Sequence, residues 1–274
     1  MEVRRYASAG EFLDATQSFR SDDPVRTGLI TSIASSVANG SRTYDAYFWL
    51  AVIDFNLVQG IAIRTAPFGF VFSPMSNSAT EALFSFISTE DPTVKEFAGP
   101  KIVIDYLEQV SGRSAVDSES ELIYENRHLI AAPARGDVRL ATDSDFELII
   151  NWIKIFVEEV GISGYNLEGV VRDNLSHGRY FLLYVGDAIV SFGGHTDNQY
   201  LDGQTISRVG PIFTPLEHRK KGYASSITSA ITQKLLSEGA LATLYTQADN
   251  PTSNKIYQEI GYTLVDENRR IVLS

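Results

Sequence analysis

Between Ile206 and Ser237 the chain switches from strand to helix period within a few residues, and this switch limits the folds open to it. Ile206-Ser207-Arg208-Val209-Gly210-Pro211-Ile212-Phe213-Thr214-Pro215 reads as a strand, and Leu216-Glu217-His218 is a tight connection. Arg219-Lys220-Lys221-Gly222-Tyr223-Ala224 then opens a long helix, whose residues Ile227, Ala230, Ile231 and Leu235 share one face before Gly239 stops it. A strand turning directly into a helix aims free backbone N–H groups and the positive helix end at one point, which suits a diphosphate. Gly222 allows unusual dihedrals and close backbone approach, Ala224 is small enough for a ligand to lie on the first turn, and Arg219, Lys220 and Lys221 add positive charge. By itself this pattern is also compatible with a charged helix entry and a glycine turn.

The 274 residues can hold two domains of average size, with a hydrophobic content of 44% that is ordinary for a folded protein. The absence of cysteine excludes disulfides, thiolate metal sites and cysteine nucleophiles. A formal charge of −11 argues against nucleic-acid partners, which need clustered Lys and Arg; it fits a cationic substrate or simply a solvated acidic surface. Met1 to Arg20 contains no apolar signal-like core, and the apolar run Tyr47 to Ile53 is far short of the roughly 20 residues that span a bilayer. The expectation is a cytoplasmic protein with no membrane or nucleic-acid partner. His128, His177 and His218 show no metal-ligand spacing with carboxylates, so no metal is expected.

In the first half, Glu2 to Tyr6, Ala46 to Asp54, Gly60 to Ala66 and Gly69 to Phe72 read as strands. Gly10 to Phe19, the stretch after Pro74 and Ile102 to Val110 read as helices, and Ser111 to Glu121 as a loop or helix end before a strand at Glu121 to Ile130. The aromatic run Tyr44, Tyr47, Phe48 and Trp49 reads as core. Pro133 and Gly136 interrupt both periods within Ala131 to Asp137, which predicts a boundary between a domain at 1–130 and one at 137–274. The second half reads as a short strand at Val138 to Ala141, helices at Phe146 to Glu159 and Asn166 to Ser176, and strands at Tyr180 to Val185, Ala188 to His195 and Gln204 to Thr214. The long helix follows, then a strand at Leu241 to Gln247, a helix at Pro251 to Ile260 and a strand at Tyr262 to Leu273. The fold class is therefore α/β (α+β), a mixed and mostly antiparallel sheet flanked by helices.

In the last helix Asn250, Ser253, Asn254 and Tyr257 fall at i, i+3, i+4 and i+7 and share one polar face, while Ile256 and Ile260 occupy another. Val209 to Ala224 followed by Asn250 to Tyr262 resembles, in order and separation, the acetyl-CoA binding core of the GCN5-related N-acetyltransferase (GNAT) superfamily. The element order from 137 to 274 resembles that family too. The resemblance implies that backbone N–H groups of Arg219, Lys220, Lys221, Gly222, Tyr223 and Ala224 hold the CoA pyrophosphate. It implies that Ile212, Phe213 and Thr214 pair with the pantetheine arm, and that an N–H near Ile212 polarises the thioester carbonyl. Asn250, Ser253 and Asn254 would line the cofactor, and Tyr257 matches the family's general acid. A phenol of pKa about 10 can return a proton to a thiolate whose thiol pKa is about 8.5.

The implied activity is transfer of acetyl from acetyl-CoA to a small-molecule amine or exposed amino group by direct attack in a ternary complex, no cysteine being present to carry the acetyl group. Glu158, Glu159, Asp197 and His195 are candidates for taking the amine's proton, none with motif support. A non-catalytic acyl-CoA sensor is the competing class, and retention of Tyr257 favours the enzyme. The first half repeats the element order and weakly resembles a second, degenerate GNAT fold. Where the phosphate turn would stand, Ser73-Pro74-Met75-Ser76-Asn77-Ser78-Ala79 has neither Arg nor Lys and no Gly-x-Ala. That half is expected to shape the acceptor cleft or the interface instead.

Overall fold

The computed structural model describes residues 1–160 and 166–274. The first half runs β1 (Glu2–Arg5), α1 (Ala9–Ala15), α2 (Gln17–Asp22), α3 (Gly28–Ala38), β2 (Tyr47–Asp54), β3 (Leu57–Thr65), β4 (Phe70–Phe72), α4 (Asn77–Glu90), β5 (Glu96–Pro100), α5 (Lys101–Ser111) and β6 (Ala115–Asn126). The second half runs β7 (Asp137–Leu140), α6 (Phe146–Glu159), α7 (Leu167–Ser176), β8 (Tyr180–Val185), β9 (Ala188–His195), β10 (Gln199–Leu201), β11 (Gln204–Phe213), α8 (Tyr223–Ser237), β12 (Ala240–Gln247), α9 (Pro251–Glu259) and β13 (Thr263–Leu273). Among the described residues 13 strands form one sheet in the order β1-β2-β3-β4-β5-β13-β6-β12-β11-β9-β8-β7, with β10 paired to β11 beside that path. Two neighbouring pairs are parallel, β4 with β5 and β11 with β12, and each is built across a strand–helix–strand unit of its own half. The mixed, mostly antiparallel sheet flanked by helices is the class that the element order implies.

The halves exchange strands at the centre of this sheet. β6 lies between β12 and β13, with Glu121 opposite both Gln247 and Asn268. β13 in turn runs on to pair with β5, Ile271 opposite Phe97. The cores interlock accordingly. Ile271 and Leu273 join Leu83, Ile87 and Phe97 under α4 and α5, whereas Tyr124 joins Ile227, Ile231 and Leu244 beneath α8. On the opposite face α1 and α3 bury Phe12 and Ile30 against Trp49 and Ile61, and α6 and α7 bury Ile149 and Val171 against Leu182 and Phe192. Val25, from the turn between α2 and α3, sits on Ile123, Ile206 and Leu241 and ties the halves together.

Several expectations need correction. The helix read at Gly10 to Phe19 breaks at Thr16 into α1 and α2, α3 lies in a stretch given no element although Ile30, Ile33, Ala34 and Val37 recur at helical spacing, and the polar stretch Thr196 to Gly203, which reads as a loop, contains the short β10. The polar stretch Ser111 to Glu121 is mostly strand. α5 stops at the left-handed Gly112 (φ 64°), and β6 starts at Ala115. Asp117 and Glu119 alternate with Ser118 and Ser120, so both faces are polar and the period of two lacks the apolar contrast that marks a strand. Arg270 of β13 compensates by pairing with Asp117 at 3.2 Å and Glu119 at 3.6 Å.

Candidate active site

α8 is held along its whole length, which fixes where its N-terminus points. Ile227, Ile231 and Leu235, four residues apart, are fully buried against the sheet, each contributing roughly 1.5–3 kcal/mol. On another side small hydroxyl residues let the segment joining the two halves lie close: Ala132 N–H donates to Ser229 Oγ and Arg135 N–H to Ser226 Oγ, both at 3.1 Å. The helix begins at Gly222, which is left-handed (φ 80°, ψ 11°), and no side chain caps its first N–H groups. Those donors need a partner from water or a ligand. The equivalent helix of the first half, α4, is closed, because Ser76 Oγ already accepts from Ala79 N–H at 3.3 Å.

The turn before α8 also carries a non-glycine residue in left-handed geometry, Lys220 (φ 64°). Such a residue costs about 1–2 kcal/mol, and strain of this kind gathers at ligand-binding turns. The cations there are not equivalent. Arg219 makes a two-pronged ion pair with Glu159 at 2.7 and 2.8 Å and donates from Nε to Thr214 O at 2.9 Å. Lys221 Nζ donates to Glu217 O at 3.1 Å. The exposed Lys220 has no ionic partner among the described residues, and neither has Arg135, a residue that the sequence reading missed. Its side chain comes within 3.5 Å of where a Cβ on Gly222 would stand. A lone arginine in an irregular connecting segment carries no periodic signal, so nothing in the sequence pointed to it.

β11 and β12 bond in parallel from Thr205 opposite Ala240 to Arg208 opposite Thr243, and no pair follows. A register shift between Val209 and Ile212 turns the rest of β11 toward β9, while β12 continues to Gln247 along β6. The two strands therefore part in front of the turn and leave main-chain groups free to pair with an extended ligand. Of the residues expected there, the Phe213 ring is buried beside Trp152, with centroids 5.8 Å apart, and the Thr214 hydroxyl bonds Ser191 Oγ at 2.9 Å, so both can offer a ligand only main chain. Ile212 is partly buried against the α8 core.

α9 stands on the flank of this gap. Asn250 caps it, its Oδ1 accepting from Ser253 N–H at 3.1 Å, and Asn254 Nδ2 reaches back to the carbonyls of Gln247 and Ala248, both at 3.2 Å. Asn254 Oδ1 is buried without a partner. Tyr257 packs on the α8 core, its ring centroid 6.0 Å from that of Tyr262. Burial pushes its phenol up to about 12, against the opposing hydrogen bond from Ser253.

Of the residues proposed to take a proton, Glu159 is committed to Arg219. Asp197 pairs with Arg179 at 3.1 Å, and His195 and Asp197 line a hollow of about 210 Å³ with Lys234 and Glu238 at the far end of α8. His195 Nδ1–H donates to Thr196 O at 2.8 Å, and burial lowers its pKa. The exposed Glu158 shows no side-chain bond among the described residues. A second hollow of about 630 Å³, lined in part by Asp23, Arg26, Glu125 and Thr263, opens at the start of β11, away from the turn. Among the described residues no helix is long and apolar enough to cross a membrane, and no three His, Cys, Asp or Glu side chains gather to hold a metal.

The family profile described as FR47-like protein matches residues 201–271, the stretch from the end of β10 through β13. Over its whole length the chain superimposes on an acetyltransferase of the GNAT family from Colwellia psychrerythraea, with a TM-score of 0.65, 12% identity and 100% of both chains covered. The chain has a tandem GNAT fold. A GCN5-related N-acetyltransferase from Sphaerobacter thermophilus gives a TM-score of 0.65 at 13% identity over 99% of this chain and 95% of that one. A tandem GNAT protein from the clavulanic acid biosynthesis pathway gives 0.61 at 9% identity over 99% and 98%. No curated protein sequence matches.

Proposed function

We propose that this GNAT-fold chain is an N-acetyltransferase that binds acetyl-CoA in its second half, 137–274, and passes the acetyl group directly to an amine, while the first half, 1–130, shapes the acceptor side. The observation that carries this reading is the uncapped start of α8, entered through left-handed Gly222, beside two strands that part. The free N–H groups of the turn, with Lys220 and Arg135 nearby, would hold the pyrophosphate. The open edge of β11 from Val209 to Thr214 would take the pantetheine, and Asn254 Oδ1 is an acceptor waiting for an amide or hydroxyl.

In the reaction the neutral amine nitrogen attacks the thioester carbonyl, the C–S bond breaks, CoA leaves as thiolate and the nitrogen gives up its extra proton to water, leaving a neutral amide. Tyr257, held near pKa 12, is protonated at any working pH. Passing that proton wholly to a thiolate of pKa about 8.5 would be uphill by about 5 kcal/mol. Tyr257 acts instead by donating a hydrogen bond to the departing sulfur. Because the protein lacks cysteine, a thiol reagent reports only released CoA. Acetyl-CoA binding measured by calorimetry, with CoA release over an amine panel, tests the reading on wild type and Tyr257→Phe. Turnover with some amine, reduced in the variant at unchanged cofactor affinity, is expected. Tight binding with no turnover on any amine would assign a sensor, and no binding by folded protein would remove the cofactor site.

A further inference from the structure

On the face of the sheet opposite α8, Arg208 at the end of the β11–β12 ladder and Glu121 of the adjoining strand β6 carry opposite charges and do not pair. Arg208 stands opposite Thr243, and Glu121 stands opposite Gln247. Alternation along β12 places Thr243, Tyr245 and Gln247 on one face, so Arg208 and Glu121 flank Tyr245 on that face from either side. Arg208 lies over the Tyr245 ring, its guanidinium carbon 5.2 Å from the centroid. The first half closes the other side, since the Tyr245 hydroxyl reaches the start of α3, 4.0 Å from where a Cβ on Gly28 would stand.

Neither charge is neutralised. Neighbouring Asp117 and Glu119 are engaged by Arg270, but Glu121 has no ion pair or hydrogen bond among the described residues, and the Arg208 guanidinium has only the Tyr245 ring. Glu121 is exposed, while Arg208 and Tyr245 beside it are half-buried. Desolvation by the neighbouring strands raises its pKa, with Arg208 opposing and Glu119 adding to the effect. An unpaired cation and an unpaired anion on one face of the sheet, either side of Tyr245, are complementary to a ligand that carries both charges.

Resting on the transferase reading above, we propose that the acceptor is a zwitterionic amine of the amino-acid type, its carboxylate held by Arg208 and its amino group delivered to Glu121. Glu121 takes one proton from the ammonium as the nitrogen lone pair is freed to attack the thioester. The group that does so belongs to a strand of the first half, inserted between β12 and β13, so both halves supply the acceptor site.

The full-length protein is assayed for CoA release with matched acceptors: amino acids, their carboxamides and the corresponding decarboxylated amines. Loss of a charge-assisted contact to carboxylate corresponds to about tenfold or more in affinity. Amino acids are expected to exceed their decarboxylated partners in kcat/KM by at least that factor. Arg208→Gln should raise KM for amino acids alone, Arg208→Lys should restore part of it, and Glu121→Gln should lower kcat for every acceptor with acetyl-CoA affinity unchanged. Equal use of decarboxylated amines by wild type, or equal effects of Arg208→Gln on both series, overturns the assignment. Calorimetry with amino acids in the presence of CoA separates the two readings. Binding to wild type but not to Arg208→Gln, without turnover, would keep the site and remove the transferase, whereas turnover without discrimination would do the reverse.

Discussion

Replacing Gly222 by valine separates a role in the fold from a role in holding phosphate. The residue sits at φ 80°, where any L-side chain costs about 1–2 kcal/mol and a β-branched one more. Space is not the difficulty, because a Cβ would meet only the Arg135 side chain, at 3.5 and 3.7 Å, in ordinary contact. A folded protein destabilised by about 2 kcal/mol is therefore expected. The γ-methyls would stand between Arg135 and the first turn of α8, where the diphosphate is proposed to lie. Losing one N–H to phosphate bond, worth about 1.5–3 kcal/mol, weakens binding roughly tenfold to 150-fold. Urea unfolding gives the stability loss, calorimetry with CoA gives Kd, and Gly222→Ala, with the same strained dihedral but less bulk, should fall between. A Gly222→Val protein that unfolds with the expected deficit but binds CoA as tightly as wild type would refute the placement of the phosphate.

Arg135→Gln should weaken CoA binding about tenfold and flatten its salt dependence, measured by calorimetry at two ionic strengths, because an unpaired guanidinium beside Gly222 acts on phosphate through charge. Asp145 is buried with Arg139 at 2.8 Å on both oxygens and is lowered to about 2. Its folded pKa lies below the unfolded value, so the stability it adds is present above about pH 4 and fades as pH falls toward 2. Asp145→Asn should cost about 1–2 kcal/mol at pH 7, allowing for the solvent that screens Arg139, with roughly half of that gone by pH 3 in urea titrations. A fragment of residues 137–274 should give the broad unfolding of a loosely packed chain, because β12 and β13 would lose the strand between them. Sharp, cooperative unfolding of that fragment would contradict this.

What the sequence disclosed follows from how each feature is encoded. The β11–α8 turn was legible because one short stretch holds all its parts: an apolar strand, three cations, Gly222 and a helix with period-four burial. α9 showed itself through its proline start and the spacing from Asn250 to Tyr257. Pairing choices were not legible. Nothing local says that Glu159, sixty positions away, will occupy the Arg219 guanidinium, or that Arg135 will lie beside Gly222. The first half of β6 was hidden because its residues are polar on both faces, and its partners come from the far end of the chain.

The exchange of β6 and β13 gives the duplicated fold a purpose that two separate copies would lack. In the first half Ser76 Oγ already accepts from Ala79 at the start of α4, so its helix terminus has one donor fewer to offer a diphosphate and no cation beside it in the Ser73 to Ala79 turn. That half is not idle, because its last strand forms the edge along which β12 continues after leaving β11. Without β6, Leu244 to Gln247 would lack a partner on both sides and the parting of the two strands would collapse or fray. The gap on which cofactor binding is proposed to depend is therefore held open by a strand of the other half. The same strand carries Glu121, opposite Gln247 at the end of β12, so the support of the gap and its proposed proton acceptor come from one element.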